Sequence, residues 1–170
     1  VMTTLHAGGK FGGKAYSVSG GLHGIGASAV NALSSWLQVD VYRDGKMYSQ
    51  EFAAGERTTD LVSEPLGEAD TGKVGTVVSF IPDSGIFPEI EYEFHELSQR
   101  FKEMAYLNKR ISITFLAEAY PEDQKTFYFE GGIGSFVRHL NHNREVLHDP
   151  PVYIEQQIDS TMVEIALQYN

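Results

Sequence analysis

Residues 10–26 of the chain read KFGGKAYSVSGGLHGIG, a glycine-dense loop that continues into an apolar helical pattern. Eight of the chain's 17 glycines lie within residues 8–26. Because glycine is costly to order, such a cluster indicates a backbone that takes positive φ or closely approaches a ligand. The apolar positions that follow, at helical spacing, are Ile25, Ala29, Ala32, Leu33 and Trp36. A helix N-terminus that follows glycines offers unpaired N–H groups to an anion, so the stretch predicts a phosphate-binding loop.

The bulk composition is that of a globular protein and excludes several classes. The length of 170 residues suits one domain or part of a larger one, and the absence of Met at Val1 leads us to expect part of a larger one. A net charge of -10 disfavours broad electrostatic binding to nucleic acid. No cysteine and no apolar run of roughly 18–20 residues are present. We therefore expect a soluble, cytoplasmic protein.

Periodicity and turn residues predict an α+β fold in one domain, residues 1–170. An Asp44-Gly45 hairpin turn joins the first two strands, and the β-branched run at 75–81 predicts a strand in the centre of a sheet. Residues 53–73 are interpreted as a ragged strand and loop. The predicted helices are the end of one at 1–8, then 23–35, 91–107 and 133–140. The predicted strands are 36–42, 46–52, 75–81, 111–116, 125–129, 152–154 and 162–169.

Two common phosphate-binding motifs match the loop only in part. The spacing of residues 8–14 is that of a P-loop, but Ala15 stands where Ser or Thr must supply a hydroxyl to Mg²⁺. Residues 24–29, GIGASA, match a dinucleotide-binding fingerprint, with Asp40 and Asp44 as acidic candidates. The antiparallel hairpins that follow disfavour that fold, so a dinucleotide-binding domain is kept only as an alternative.

Seven strings spread over essentially the whole chain carry a family resemblance. They are LHAGGKF at 5–11, SGGLHGIG at 19–26, VNAL at 30–33, RDGK at 43–46, GTVV at 75–78, YFEGG at 128–132 and EIALQYN at 164–170. The chain resembles the ATPase domain of the B subunits of bacterial type IIA topoisomerases, that is, of DNA gyrase and topoisomerase IV. The resemblance implies the Bergerat (GHKL) fold, a two-layer sandwich of a mixed, largely antiparallel sheet with helices on one face, here without its N-terminal part.

The resemblance also implies roles for individual residues. Lys10 corresponds to the lysine that reaches the nucleotide phosphates, and Tyr16 to a residue near the nucleotide, for which simple packing is the alternative. Thr76 corresponds to the threonine in a water-bridged network to adenine, and Val78 lines the adenine pocket. Arg43 corresponds to a rim arginine that coumarin-type inhibitors contact. The backbone groups expected to wrap the β- and γ-phosphates belong to Gly21, Leu22, His23, Gly24, Ile25 and Gly26.

The resemblance implies cofactors and partners for the parent protein that this chain does not hold by itself. In the family, the catalytic glutamate, the asparagine that holds Mg²⁺ and the aspartate that binds adenine precede the loop, so we expect no catalytic residue and no metal ligand here. ATP and Mg²⁺ are the parent's cofactors, and the A subunit, DNA and a second B subunit are its partners in supercoiling. For the 170 residues alone we expect at most weak binding of ATP or ATP-site inhibitors, no direct grip on DNA and a monomer.

Three further alternatives follow from the sequence. A nucleotide-binding or scaffold protein without ATPase activity is the competing hypothesis, and gyrase is only weakly favoured over topoisomerase IV, by residues 100–109. His139, His142 and His148 form a histidine cluster, for which an exposed helix end is favoured over a zinc site because Cys is absent. Asn31 is interpreted as a polar residue on a helix face.

Overall fold

The computed structural model describes residues 1–7, 24–159 and 161–170. It divides the chain into two units, Val1–Glu91 and Tyr92–Asn170. The first unit contains one α-helix and one sheet, and the second contains two α-helices and two sheets, among the described residues. The expected α+β class is confirmed, because the described residues form three α-helices and nine strands and every pairing between these strands is antiparallel.

The first unit is built on a five-stranded sheet whose strand order is β3-β2-β1-β5, with β4 also paired to β2. Its elements are α1 Gly26–Ala32, β1 Ser34–Arg43, β2 Lys46–Ala53, β3 Glu56–Arg57, β4 Val62–Pro65, a 3₁₀ turn Glu68–Asp70 and β5 Gly75–Pro82. The predicted hairpin between β1 and β2 is confirmed: Asp44 and Gly45 take φ values of 53° and 72°. Positive φ at both turn residues matches the right-handed twist of the flanking strands.

Three predictions for the first unit are wrong in detail. Residues 1–7 form bends and a turn and no helix, because so short a segment cannot offset the cost of helix nucleation. Helix α1 ends at Ala32, earlier than predicted, and the Ser34 hydroxyl there bonds back to the Val30 carbonyl at 2.6 Å, a contact that competes with helix continuation. Strand β5 lies at the edge of the described sheet and β1 lies inside it, because β-branched residues favour a strand without fixing its position.

The described core of the first unit lies where α1 meets β1 and β2. Leu37 is fully buried and stands directly opposite Phe52, which is also buried. The polar side chains of Asn31 and Ser34 are buried in the same unit. Gly55 follows β2, and a Cβ there would contact the Ala32 backbone at 3.4 Å. The turn after β2 therefore packs closely against the end of α1.

The second unit combines two helices with two separate two-stranded sheets. Its elements are α2 Phe94–Leu107, β6 Ser112–Phe115, a 3₁₀ turn Pro121–Asp123, β7 Lys125–Tyr128, α3 Gly132–Leu140, β8 Val152–Ile158 and β9 Thr161–Leu167. The predicted helices and hairpins of this unit are confirmed, although β8 is longer than predicted. No helix in the described residues is long and apolar enough to cross a membrane.

Aromatic side chains hold the second unit together. Tyr106 of α2 is 4% exposed and stacks on Phe129 with ring centroids 3.6 Å apart, and on Phe136 of α3 at 4.9 Å. Phe94, at the start of α2, stacks on Phe115 of β6 at 4.8 Å. Such pairs contribute energy beyond their buried area. Helix α2 thus packs against β6 through Phe94 and against α3 through Tyr106.

Candidate functional site

The register of β1 and β5 brings three of the site residues named from sequence onto one face. Val41 stands opposite Thr76, and Val39 stands opposite Val78. Directly opposed residues share a face, and so do alternate residues along a strand. Thr76, Val78 and Arg43 therefore lie on the same face. Thr76 is exposed and Val78 is 49% exposed, so the face is accessible.

Arg43 ends β1 at the hairpin turn. Its Nε donates to the Asp44 carboxylate at 2.9 Å, and its side chain is 73% exposed. An exposed pair of this kind stabilises the fold by at most about 1 kcal/mol. The guanidinium keeps donors that this contact does not use. Arg43 is therefore positioned at the rim of the face and is available to a ligand.

The start of α1 shows how the chain enters the helix from the glycine-dense loop. Gly24 has a φ of 61°, a conformation that glycine adopts without strain. Ile25 is the N-cap residue, and its carbonyl accepts bonds from the Ala29 N–H at 2.8 Å and the Ser28 hydroxyl at 3.0 Å. Among the described residues, nothing would lie within 4 Å of a Cβ at Gly26.

The other five site residues named from sequence lie outside the described residues. They are Lys10, Tyr16, Gly21, Leu22 and His23. Their roles stay predictions.

Asn31 has a larger structural role than the sequence indicates. It is fully buried, and its Nδ2 donates to the Met2 carbonyl at 3.0 Å. Its backbone carbonyl accepts from the Gly55 N–H at 3.1 Å. The side chain of Asn31 therefore ties the N-terminal segment to α1, and its backbone ties the turn after β2 to the same helix. Its Oδ1 has no hydrogen-bond partner among the described residues.

The described residues do not offer a site for Mg²⁺ or zinc. No group of three or more His, Cys, Asp or Glu side chains among them is placed to hold a metal ion. His139 stacks on Tyr106 at 5.7 Å, and its Nε2 lies 3.0 Å from the Lys102 ammonium. His148 contacts the Pro150 carbonyl through Nδ1 at 3.1 Å. These two histidines of the cluster thus make separate contacts within the second unit.

The second unit contains a polar cluster around Lys109 that the sequence did not predict. The Lys109 ammonium contacts the Glu155 carboxylate at 2.9 Å and also bonds to Glu164 and to the Tyr153 hydroxyl. The hydrogen bonds to Glu164, Tyr153 and Glu155 raise the pKa of Lys109. Burial, together with the bond to Glu164, raises the pKa of Tyr153 to about 12. The bond from Lys109 lowers the pKa of Glu155.

The pairing of β8 with β9 explains why this cluster needs a cation. Glu155 and Glu164 stand directly opposite each other across the two strands, and like charges in that position repel. Lys109, from the loop after α2, lies between them. The opposed glutamates are the one signal in the sequence, but it is visible only when the register of the hairpin is known.

Comparison with known proteins gives a consistent set of relatives. No protein-family model matches the chain. The B subunit of DNA gyrase from Halalkalibacterium halodurans is 51% identical over 100% of this chain and 26% of its own length. The corresponding gyrase protein of Bacillus mycoides is 49% identical over 97% of this chain and 40% of its own length. The chain therefore spans well under half the length of these relatives.

Solved structures show the same relationship. The 43K ATPase domain of Thermus thermophilus gyrase B, in complex with an aminocoumarin, superposes with a TM-score of 0.74 at 33% identity, over 84% of this chain and 38% of that one. The ATP-binding domain of topoisomerase IV from Francisella tularensis, in complex with a small-molecule inhibitor, superposes with a TM-score of 0.66 at 28% identity, over 87% of this chain and 40% of that one.

Proposed function

The chain is homologous, over its whole length, to a segment of the B subunit of DNA gyrase. We propose that this chain forms one wall of an ATP-binding site. The observation that carries this proposal is the match to gyrase B at 51% identity across the entire chain. The superposition on a gyrase B ATPase domain, with a TM-score of 0.74, supports it. The backbone of residues 21–26 would hold the β- and γ-phosphates, with Lys10 as a point contact and Tyr16 nearby.

The side chains on the β1–β5 face support the proposal that this face binds the adenine base of ATP. Thr76 and Val78 are two positions apart on an extended strand, so their side chains are separated by about 6.6–6.8 Å along the strand. A hydroxyl beside an apolar surface suits a planar base with a polar edge. Arg43, on the same face, would contact ligands that extend beyond the base.

The activity of the parent protein follows as part of the proposal. ATP binding and hydrolysis, with Mg²⁺, would drive dimerisation of B subunits and passage of DNA through a break held with the A subunit, in the cytoplasm. The two relatives reported above are both gyrase B proteins, which favours supercoiling as the reaction. A topoisomerase IV domain superposes as well, with a lower TM-score of 0.66.

The 170 residues by themselves are proposed to bind nucleotide without hydrolysing it. Glu51, Glu56 and Glu64 stand in no sequence context that matches a general base, and the described residues offer no Mg²⁺ site. Without a base to activate water and a cation to neutralise the phosphates, the transition state for hydrolysis is not stabilised. Binding and turnover are therefore separable on this chain.

ATP titration followed by amide chemical shifts of residues 24–26 and of β5 tests the proposal. We expect Thr76→Val to weaken ATP binding about three- to tenfold, the value of one hydrogen bond, and to leave inorganic triphosphate binding unchanged. Lys10→Ala should weaken both ligands. Thr161→Val, at the exposed start of β9, is the matched control. Failure of ATP to shift these amides would favour the scaffold hypothesis, and ATP turnover by the 170 residues would refute binding without hydrolysis.

Inhibitor binding tests the position of Arg43 separately. The Thermus thermophilus gyrase B domain was solved with an aminocoumarin, and we propose that Arg43 contacts such a ligand here. Arg43→Ala should weaken aminocoumarin binding, measured by calorimetry. Arg57→Ala removes a guanidinium that is also largely exposed, at 60% against 73% for Arg43, from β3 at the far edge of the sheet, and should leave binding unchanged. Equal effects of the two changes would refute a local contact.

A further inference from the structure

A cavity of about 310 Å³ is lined by residues of the second unit. Its walls come from the loop after α2, the start of α3 and the start of β8. Lys109, Arg110 and Arg138 contribute basic side chains, Glu130 contributes one carboxylate, and Ser135 contributes a hydroxyl. Tyr153 and Pro151 form its apolar wall. The volume lies at the lower end of the range of small-ligand pockets.

The two arginines of this cavity differ from its lysine in making no ion pair with a carboxylate of the described residues. Arg110 acts on Glu155 only at longer range, adding to the effect of Lys109, which lowers the pKa of that carboxyl. Lys109 is already paired with Glu155 and Glu164. Neither Arg110 nor Arg138 has a carboxylate within 4 Å among the described residues. Two guanidinium groups that converge on one concave surface with unused donors are suited to an anion with several acceptor oxygens.

Glycines shape the wall between these donors. A Cβ at Gly131 would lie 2.4 Å from the Ser135 hydroxyl oxygen, and one at Gly132 would lie 2.5 Å from Cγ of Lys109. A side chain at Gly131 would therefore clash with the Ser135 hydroxyl. The Ser135 hydroxyl makes no hydrogen bond to a side chain or backbone group in the described residues, which leaves a neutral donor at the same surface as the arginines.

We propose that this cavity binds a small phosphate-bearing anion through Arg110, Arg138 and the Ser135 hydroxyl. Guanidinium groups match phosphate geometry with paired donors, which favours phosphate over a spherical anion. The Lys109 ammonium lies over the Tyr153 ring, 4.7 Å from the ring centroid, so we assign the site to the phosphate group alone. Its residues all belong to the second unit, whereas the ATP wall is proposed for residues of the first unit.

Charge and shape favour a free phosphate compound over the backbone of duplex DNA. Residues 92–170 contain seven Lys and Arg and twelve Asp and Glu, a net charge of -5. A polyanion that extends beyond the cavity would meet this negative surface and be repelled. A small anion enters the concave surface alone and meets mainly the two arginines.

The test is a titration of the 170-residue chain with pyrophosphate, followed by amide shifts of residues 131–135. We expect saturable shifts, weakened roughly two- to fivefold by Arg110→Ala or Arg138→Ala, the range for a partly exposed ion pair. Glu130→Gln removes the one carboxylate of the wall and should strengthen binding. Opposite signs for the arginine and glutamate changes distinguish binding from a general effect on folding. Circular dichroism and the amide spectrum check that each variant folds.

Two controls assign the result to this cavity. Lys10→Ala, which is expected to weaken triphosphate binding in the first unit, should leave the shifts of residues 131–135 unchanged. A short DNA duplex should not displace pyrophosphate. Shifts that do not saturate, that persist in an Arg110→Ala/Arg138→Ala variant, or that weaken in Glu130→Gln would overturn the proposal, and displacement by the duplex would refute the choice of a small anion.

Discussion

Replacement of Lys109 by Met tests whether one cation holds the β8–β9 hairpin in the second unit. The change removes the ammonium from between Glu155 and Glu164 but keeps most of the aliphatic stem, which packs beside Gly132. The two carboxylates then face each other across the strands without a counter-charge. The loss therefore combines a missing ion pair with a new repulsion.

The exposed fraction of the side chains sets the size of the effect. Lys109 is 29% exposed and Glu164 is 26% exposed. The cluster thus lies between exposed pairs, which contribute up to about 1 kcal/mol, and buried pairs, whose disruption costs about 3–5 kcal/mol. We expect Lys109→Met to lower the free energy of opening of the hairpin by about 2 kcal/mol, a roughly 30-fold increase in its hydrogen-exchange rate.

Amide hydrogen exchange in β8 and β9 measures this opening locally, which matters because a chain of two units need not unfold in one step. The Lys109→Met/Glu164→Gln variant removes the repulsion as well and should recover the part of the loss that the repulsion causes, which a double-mutant cycle quantifies. Arg100→Met is the matched control, because it removes a cation from a more exposed pair with Glu103. Equal exchange in the Arg100 and Lys109 variants, or no recovery in the double variant, would refute the reasoning. Fluorescence of Trp36, in the first unit, should not change.

Three further predictions follow from single contacts. Gly132→Ala should destabilise the second unit by about 2 kcal/mol or more, because φ is +53° and a Cβ would meet the Lys109 stem. Gly134→Ala, inside α3, is the control, because a Cβ there would lie 3.7 Å from Cδ2 of Tyr153, an ordinary contact distance. In urea titrations of the two variants, Gly134→Ala should be neutral or stabilising. The pKa of Tyr153 is about 12, against an ordinary 10.0. Tyr153 therefore contributes stability to the fold below pH 10, and this contribution is lost between pH 10 and 12. The pKa of Glu155 is lowered from an ordinary 4.5, so Glu155 contributes stability above pH 4.5 and loses this contribution as the pH falls further. Hydrogen-exchange protection of β8 should therefore be highest between about pH 4.5 and pH 10. Asn31→Ala should cost about 1–3 kcal/mol in Trp36-monitored unfolding, because the Met2 carbonyl loses its donor.

Local signals in the sequence were sufficient for most elements of the fold. The Asp44-Gly45 pair predicts its hairpin because only a few residue types tolerate positive φ at both turn positions. The apolar stripe of residues 94–107 predicts α2 because its spacing matches one helix face. Both signals depend on residues close together in the chain, and both predictions are confirmed.

Features that depend on distant residues were not accessible in the same way. Strand β5 carries the β-branched run expected of an inner strand, yet in the described sheet it pairs on one side only, with β1. Lys109 meets Tyr153 and Glu155 across 44 and 46 positions of sequence. Strand order and such contacts follow from how the elements pack, which no short window of residues specifies.

The arrangement of the candidate site depends on local motifs and also on contacts between distant residues. The resemblance named Thr76, Val78 and Arg43 one by one, but their common face depends on the pairing of β1 with β5. A slip of one residue would move Thr76 and Val78 to the face opposite Arg43, because side chains alternate along a strand. The irregularity in this pairing lies between Ser34 and Trp36, at the end of β1 far from Arg43, and the register is continuous from Trp36 to Tyr42, the residue before Arg43. The uninterrupted part of the ladder is therefore the part that aligns the three residues, and their alignment is a property of the β1–β5 pair and of no single motif.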